Sequence, residues 1–309
     1  MLSSKSKLRR LAIVTEAKQN QPIKLTNDNY YSHDTDFQYL SKSVFSMFED
    51  CEASALAQLK DEWEPQPKQN NQPDPFIFGN FIHSYFQGKE AHQEFLSKKK
   101  VKKEVYKYGN PEKGFKKAYS KQGEAASIIN KMKLNDRFSF YYKPQEPSNK
   151  EVIVTGKIDG YWWKGKIDSL NLEDGYFCDL KTTKDIHAVN WIKDGNYNVK
   201  TNFVEAYGYY MQMAIYQELI KQTFDKNCLP LMFVVSKQSV PEVANLVFDQ
   251  RDPDINYLMS DAMDKVIQLQ PHIWKVMMGE EKPEACGKCE YCRYSINNPD
   301  FILPTQIEV

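Results

Sequence analysis

The chain has 309 residues, 41% of them hydrophobic, and its 41 Lys and Arg exactly offset 41 Asp and Glu. That is enough apolar material for one large domain or two small ones, while a net charge of zero excludes a protein that grips nucleic acid by overall charge. No apolar run approaches a membrane span and residues 1–10 lack the apolar stretch of a signal peptide, so the sequence reads as intracellular, in the cytoplasm, with no membrane partner.

Residues 1–38 read as a polar, flexible segment, and 39–309 as a single domain. Residues 39–59 have helical character, with Ser41 or Ser43 as cap. A Pro-, Gln- and Asn-rich loop follows over 64–75, then an apolar helix over 76–86 carrying His83. The insertion at about 90–150 is helical and lysine-rich, its lysines concentrated over 97–121. Two readings stay open there, a solvated helix face and a phosphate-tracking arm. Residues 124–134 suit an amphipathic helix. The period then changes, with strands over 151–158 and 161–172, a GluAspGly turn at 173–175, and a third strand from Tyr176. Residues 182–201 read as a loop, and Thr201 or Asn202 opens a long helix to about Thr223. A short apolar strand at 229–236 and a helix over 254–278 complete the series. Helix, three-strand antiparallel meander, helix, strand is a mixed α/β core, here with helical additions at both ends.

Asp168 and Asp179 lie nearly equidistant from the GluAspGly turn. In a tight hairpin they become neighbours, with Cβ atoms roughly 5 to 8 Å apart. Two carboxylates that close repel each other unless a cation sits between them, and hard oxygen donors suit Mg²⁺ or Mn²⁺. Side chains alternate along a strand, so Asp179 and Lys181 share a face while Cys178 and Leu180 point away. An ammonium beside metal carboxylates suits water activation and stabilisation of a pentavalent phosphate. GlyLysIleAsp occurs twice, ending at Asp159 and Asp168, but Asp159 precedes Gly160 in a turn-forming pair and lies too far from Asp179 to meet it across one hairpin. Gln212 and Tyr216, four apart on the long helix, share a face extended by Glu205 and Tyr209.

The ordered set GlyAsnPheIleHis, LysIleAsp, AspLeuLysThrThr and GlnMetAlaIleTyr, within residues 76–236, resembles the RecB-like branch of the PD-(D/E)XK nucleases. Within that branch it looks most like the RecE-type, exonuclease VIII-like phage recombination exonucleases. The resemblance implies a restriction-endonuclease-like core in which His83, Asp168, Asp179 and the Leu180 carbonyl bind the metal. It implies a catalytic Lys181, with Gln212 and Tyr216 orienting the lysine and the DNA backbone. Where many superfamily members have Glu on the third strand, this chain has Asp179. Thr182 and Thr183 are candidate DNA contacts, and Trp191 either stacks on a splayed base or anchors its loop.

Cys286, Cys289 and Cys292 offer three thiolates on one loop, and a tetrahedral zinc site or a 4Fe–4S cluster needs a fourth. Cys178 and Cys228 suit buried apolar positions, which leaves Cys51. One cysteine before the core and three after it is similar to the iron–sulfur nucleases of the AddB and CRISPR-associated types, and favours 4Fe–4S over zinc. The spacing departs from those families, which have a longer gap before the last cysteine. The leading expectation is a 5′–3′ double-strand DNA exonuclease of phage-type recombination, working beside a single-strand annealing protein and forming a homo-oligomer, in the bacterial host if phage-encoded. The alternatives are an iron–sulfur nuclease acting on single-stranded ends and a noncatalytic DNA-binding module.

Overall fold

The computed structural model describes residues 22–65, 72–144, 146, 149–194, 197–295, 301, 303 and 305. The greater part of the segment expected to be flexible, 1–21, lies outside the described residues; 22–38 carry a short helix α1 (His33–Asp36) and bury Tyr30 and Phe37. The helical stretch at 39–59 is two helices, α2 (Lys42–Asp50) and α3 (Glu52–Leu59). Ser41 caps the first by accepting from the Val44 N–H, and Cys51, extended at φ −171°, separates them. Helix α4 (Pro75–Gln87) begins where the Asp74 side chain accepts from the Phe76 and Ile77 N–H groups, with Pro75 at the first helical position. The lysine-rich insertion supplies α5 (Lys89–Ser97), α6 (Lys99–Val105), α7 (Glu124–Lys133) and α8 (Asp136–Tyr142).

The meander is β1 (Lys150–Ile158), β2 (Tyr161–Asn171) and β3 (Tyr176–Thr183). A two-residue turn joins β1 to β2, with Asp159 at φ +45° and Gly160 at φ +87°, the pair of left-handed positions a tight hairpin requires. The expected loop at 182–201 instead contains a hairpin, β4 (Asn190–Asp194) and β5 (Tyr197–Thr201), whose Trp191, Tyr197 and Val199 are exposed. A strand that buries neither face lacks the alternation by which a sequence announces it. The long helix is also interrupted. Asn202 caps a short α9 (Phe203–Ala206), and Gly208 at φ +64° restarts the chain as α10 (Tyr209–Phe224). Strand β6 (Leu229–Ser236) is followed by β7 (Val243–Val247), α11 (Pro253–Met277) and α12 (Glu290–Ser295).

Residues 67–267 form one compact unit around a sheet of order β1-β2-β3-β6-β7, in which only β3 and β6 run parallel. Cys178 and Leu180 of β3 join Phe78, Ile82, Ile128 and Phe138 in an apolar cluster on one face, while α10 packs on β1 and β2. The sheet is thus layered between helices, a mixed α/β restriction-endonuclease-like core. The described residues before 66 and after 267 form a second unit, whose core includes Phe45, Phe48, Leu59, Ile273 and Cys292. Among the described residues no helix is long and apolar enough to cross a membrane.

Candidate active site and cysteine cluster

The β2–β3 ladder pairs Asn171 with Tyr176, Leu170 with Phe177 and Ser169 with Cys178, and goes no further. One step on stand Asp168 and Asp179. In place of a ladder bond, the Leu180 N–H donates to Asp168 Oδ2 at 2.8 Å. His83 of α4 brings Nδ1 to 3.3 Å from the same oxygen. Asp179 is buried, and its Oδ1 accepts from Gln212 Nε2 at 2.7 Å and from Lys181 Nζ at 3.0 Å. Its Oδ2 lies 2.9 Å from the same ammonium but out of line for a hydrogen bond, and so is buried with no hydrogen-bond partner among the described residues.

Burial raises the Asp179 pKa, with the Lys181 ammonium working against that and the Asp168 charge adding to it. Burial alone would lower the Lys181 pKa, but Asp179, Tyr209 and Asp168 outweigh it and keep the ammonium protonated well above neutrality. The Tyr209 ring lies 5.5 Å beneath that ammonium. Lys181 is therefore a fixed cation, suited to holding an anionic group and unsuited to accepting a proton.

Of the residues singled out in the sequence, His83, Asp168, Asp179, Leu180, Lys181 and Gln212 come together. Tyr216 goes elsewhere, against Phe177 and over Gly165, where an added Cβ would come within 3.0 Å of its ring. The tyrosine beside the lysine is Tyr209, two helical turns earlier. Asp159 stays exposed in its turn. Thr182 is partly buried, Trp191 is 63% exposed on β4, and Thr183 is buried, its carbonyl accepting from the Lys237 N–H. Thr183 thus exposes little of its surface.

One acidic residue escaped the sequence reading. Glu151 sits between the β1–β2 pairs Lys150–Ser169 and Val152–Ile167, which places it opposite Asp168. Its backbone is left-handed at φ +54°, and its Oε2 lies 3.6 Å from Lys166 Nζ. Burial raises its pKa, and the Asp168 charge adds to the rise. Counting back from the Asp159–Gly160 turn gives this register, so the signal was present.

In the second unit Cys51, Cys286, Cys289 and Cys292 bring their sulfurs within 4.8 Å of one another. Cys292 Sγ lies 3.7 Å from Cys51 Sγ and 3.9 Å from Cys286 Sγ. The N–H groups of Cys286, Cys289 and Cys292 point at the sulfurs of Cys51, Cys286 and Cys289. Backbone donors from Lys288 and Cys289 lower the Cys286 pKa to about 6, which favours the thiolate. Cys178 and Cys228 are buried elsewhere.

A family profile described as a PDDEXK-like domain of unknown function (DUF3799) matches residues 41–295. The chain belongs to this family. A solved structure from Eubacterium rectale, of a protein given the provisional name exonuclease, superimposes with a TM-score of 0.75 at 25% identity, covering 91% of this chain and 97% of that one. No curated protein matches the chain.

The donor set of this PDDEXK-like domain fits a hard divalent cation. Carboxylate oxygens and an imidazole nitrogen converge, and Asp179 Oδ2, buried without a hydrogen bond though 2.9 Å from the Lys181 ammonium, is an atom that a divalent cation would satisfy. The four sulfurs fit a soft one. With a metal–sulfur bond of about 2.3 Å, a tetrahedral ion sets its sulfurs about 3.8 Å apart, close to the two separations above.

Proposed function

We propose that the protein is a metal-dependent deoxyribonuclease centred on Asp168, Asp179 and Lys181. The observation that carries this reading is the buried Asp179 carboxylate, held at one oxygen by Gln212 and Lys181 and left without a hydrogen bond at the other. His83, Asp168, Asp179 and the Leu180 carbonyl are the proposed holders of Mg²⁺ or Mn²⁺. Such an ion supplies the Lewis acid for attack of water on a phosphodiester. Lys181, kept protonated, stabilises the growing charge on the phosphate. Gln212 fixes the Asp179 carboxylate, and Tyr209 holds the lysine from below. Tyr216 acts through packing, seating α10 on β2. Thr182 and Trp191 are the proposed DNA contacts beside the site.

The similarity to a provisionally named exonuclease supports exonuclease action, and the RecE-like motif order alone supports the narrower reading, 5′–3′ action on duplex DNA in phage-type recombination with a single-strand annealing protein. A homo-oligomer and a bacterial cytoplasmic setting go with that reading by analogy. The order of the cysteines along the chain, one before the core and three after it, is the support for a second reading, an AddB-like iron–sulfur nuclease on single-stranded ends. Their spacing supports one tetrahedral zinc ion, because the four irons of a cubane cluster would hold their thiolates farther apart. Either metal is proposed as structural.

Purified protein with Mg²⁺ or Mn²⁺ is incubated with linear, circular and single-stranded DNA beside Lys181→Ala. Loss of linear duplex alone supports the exonuclease, and loss of single strands alone supports the second reading. Absence of any Lys181-dependent cleavage leaves a noncatalytic DNA-binding module. Zinc by elemental analysis, or iron with visible absorbance, identifies the cysteine-bound metal.

A further inference from the structure

The neutral chain hides a strong segregation of charge. Residues 98–121 hold ten lysines against two glutamates. One of those acids, Glu104, is turned inward, accepting from the Asp74 N–H and the Tyr119 hydroxyl and lying 3.8 Å from Lys116 Nζ. The lysines are carried on a rigid mount. Helix α6 is pinned to the apolar cluster by Val101 and Val105. Tyr106 and Phe115 then form an antiparallel bridge with stacked rings 4.8 Å apart. The Lys107 N–H donates to the Gly114 carbonyl and the Lys116 N–H to the Val105 carbonyl, closing a hairpin. Asn110 caps its far side by accepting from the Glu112 N–H.

At the tip stands Tyr108, 94% exposed and left-handed at φ 55°. A bulky residue rarely adopts that backbone, and folding alone gives no return for exposing an aromatic ring there. Exposed Lys107 and Lys113 flank it. The arm is tied to the helix that carries His83, because Glu104 accepts from the Asp74 N–H at the start of α4. From Lys98 the seven residues of α6 advance about 10 Å, or roughly three nucleotide steps of a stacked strand.

We infer that residues 98–117 form a DNA-gripping finger, in which the lysines track the phosphates of one strand and Tyr108 stacks on an unpaired base. The strand's position rests on the nuclease reading, but the grip is measured without cleavage. Lysine contacts supply salt-dependent affinity, and an aromatic platform adds sequence-tolerant stacking that duplex ends and single strands offer and a closed duplex does not.

Fluorescence anisotropy of a labelled single-stranded DNA and of a covalently closed duplex tests this, with the Lys181→Ala protein so that no substrate is consumed. Tyr108→Asn removes the ring yet suits a left-handed backbone, so the fold is preserved. It weakens single-strand binding roughly tenfold and closed-duplex binding little, and Tyr108→Trp restores the loss. The double change Lys107→Ala with Lys113→Ala lowers the slope of log affinity against log salt by about 1.4 on single strands. Affinity and salt slope unchanged in both variants overturn the finger and leave a solvated surface. Cleavage by the parent enzyme alongside that null result sinks the finger alone; finger-dependent binding in a protein that cleaves nothing sinks the nuclease reading alone.

Discussion

The carboxylate hairpin and the cysteine cluster solve the same problem, gathering electron-rich ligands, by opposite means. The hairpin uses sheet register. Asp168 and Asp179 are delivered by a ladder that ends one pair before them, and the charge is then buried and compensated by Lys181 and Gln212. The cysteines use segments 235 residues apart, joined by backbone contacts such as the Ala53 N–H to the Glu284 carbonyl at 2.9 Å and Cys286 N–H to Cys51 Sγ. A ladder fixes its ligands without a metal, whereas loops from distant segments depend on one to stay closed. The hairpin should therefore be chemically essential and structurally independent, and the cysteine cluster the reverse.

The largest effect expected is on chemistry. Lys181→Ala should lower DNA cleavage by at least 10³-fold while the melting temperature moves by only a few degrees, read by gel assay and calorimetry. A collapse of folding instead would erase the contrast between the two regions. Next comes the cysteine cluster. Cys51→Ser, or removal of its metal by a chelator, should lower the melting temperature by about 10 °C and leave the rate per folded molecule intact once Mg²⁺ is restored. Cleavage lost at unchanged stability would make the cluster part of the chemistry.

Gln212→Ala sharpens the hairpin side, with an expected loss of roughly 10- to 100-fold in kcat, since Asp179 would keep its charge partner but lose its positioning bond. An unchanged kcat would leave Lys181 as sufficient support. Gly165→Ala tests packing beneath the site. Its Cβ would press on Tyr216 and Val154, destabilising the fold by about 1 to 3 kcal/mol in urea titration. The smallest effect is a pH dependence beside the cysteines. His272 lies 2.6 Å from Glu281 and 2.7 Å from Glu52, and its bond to Glu281 is the chief cause of its raised pKa. A raised native pKa stabilises fully below the unfolded value of about 6.5 and is lost as pH rises through the native value. The melting temperature should fall by about 1 to 2 °C above neutral pH, and His272→Gln should flatten that slope.

Much of this was legible before any coordinates. The turn residues at Asp159–Gly160 and 173–175 dictate the meander, period-two alternation separates Asp179 and Lys181 from Cys178 and Leu180, and the motif order points to His83 and Gln212. Setting aside Cys178 and Cys228 as buried apolar positions left Cys51 as the fourth cysteine. These are local rules, or eliminations by burial, and a sequence carries them directly.

Tertiary structure decided the rest, for reasons that act over distance. Which tyrosine of α10 meets Lys181 depends on how the helix sits on β2, and the close approach over Gly165 gives that place to Tyr209 in preference to Tyr216. The exposed β4–β5 hairpin has no buried face to leave a pattern, and β7 is recruited by pairing with β6. The register that sets Glu151 opposite Asp168 could be counted from the turn, but its left-handed backbone and its burial came only with the fold. The composition fixed that any DNA grip must be local; only the folded hairpin at Tyr106–Phe115 showed where an exposed ring and its lysines stand together.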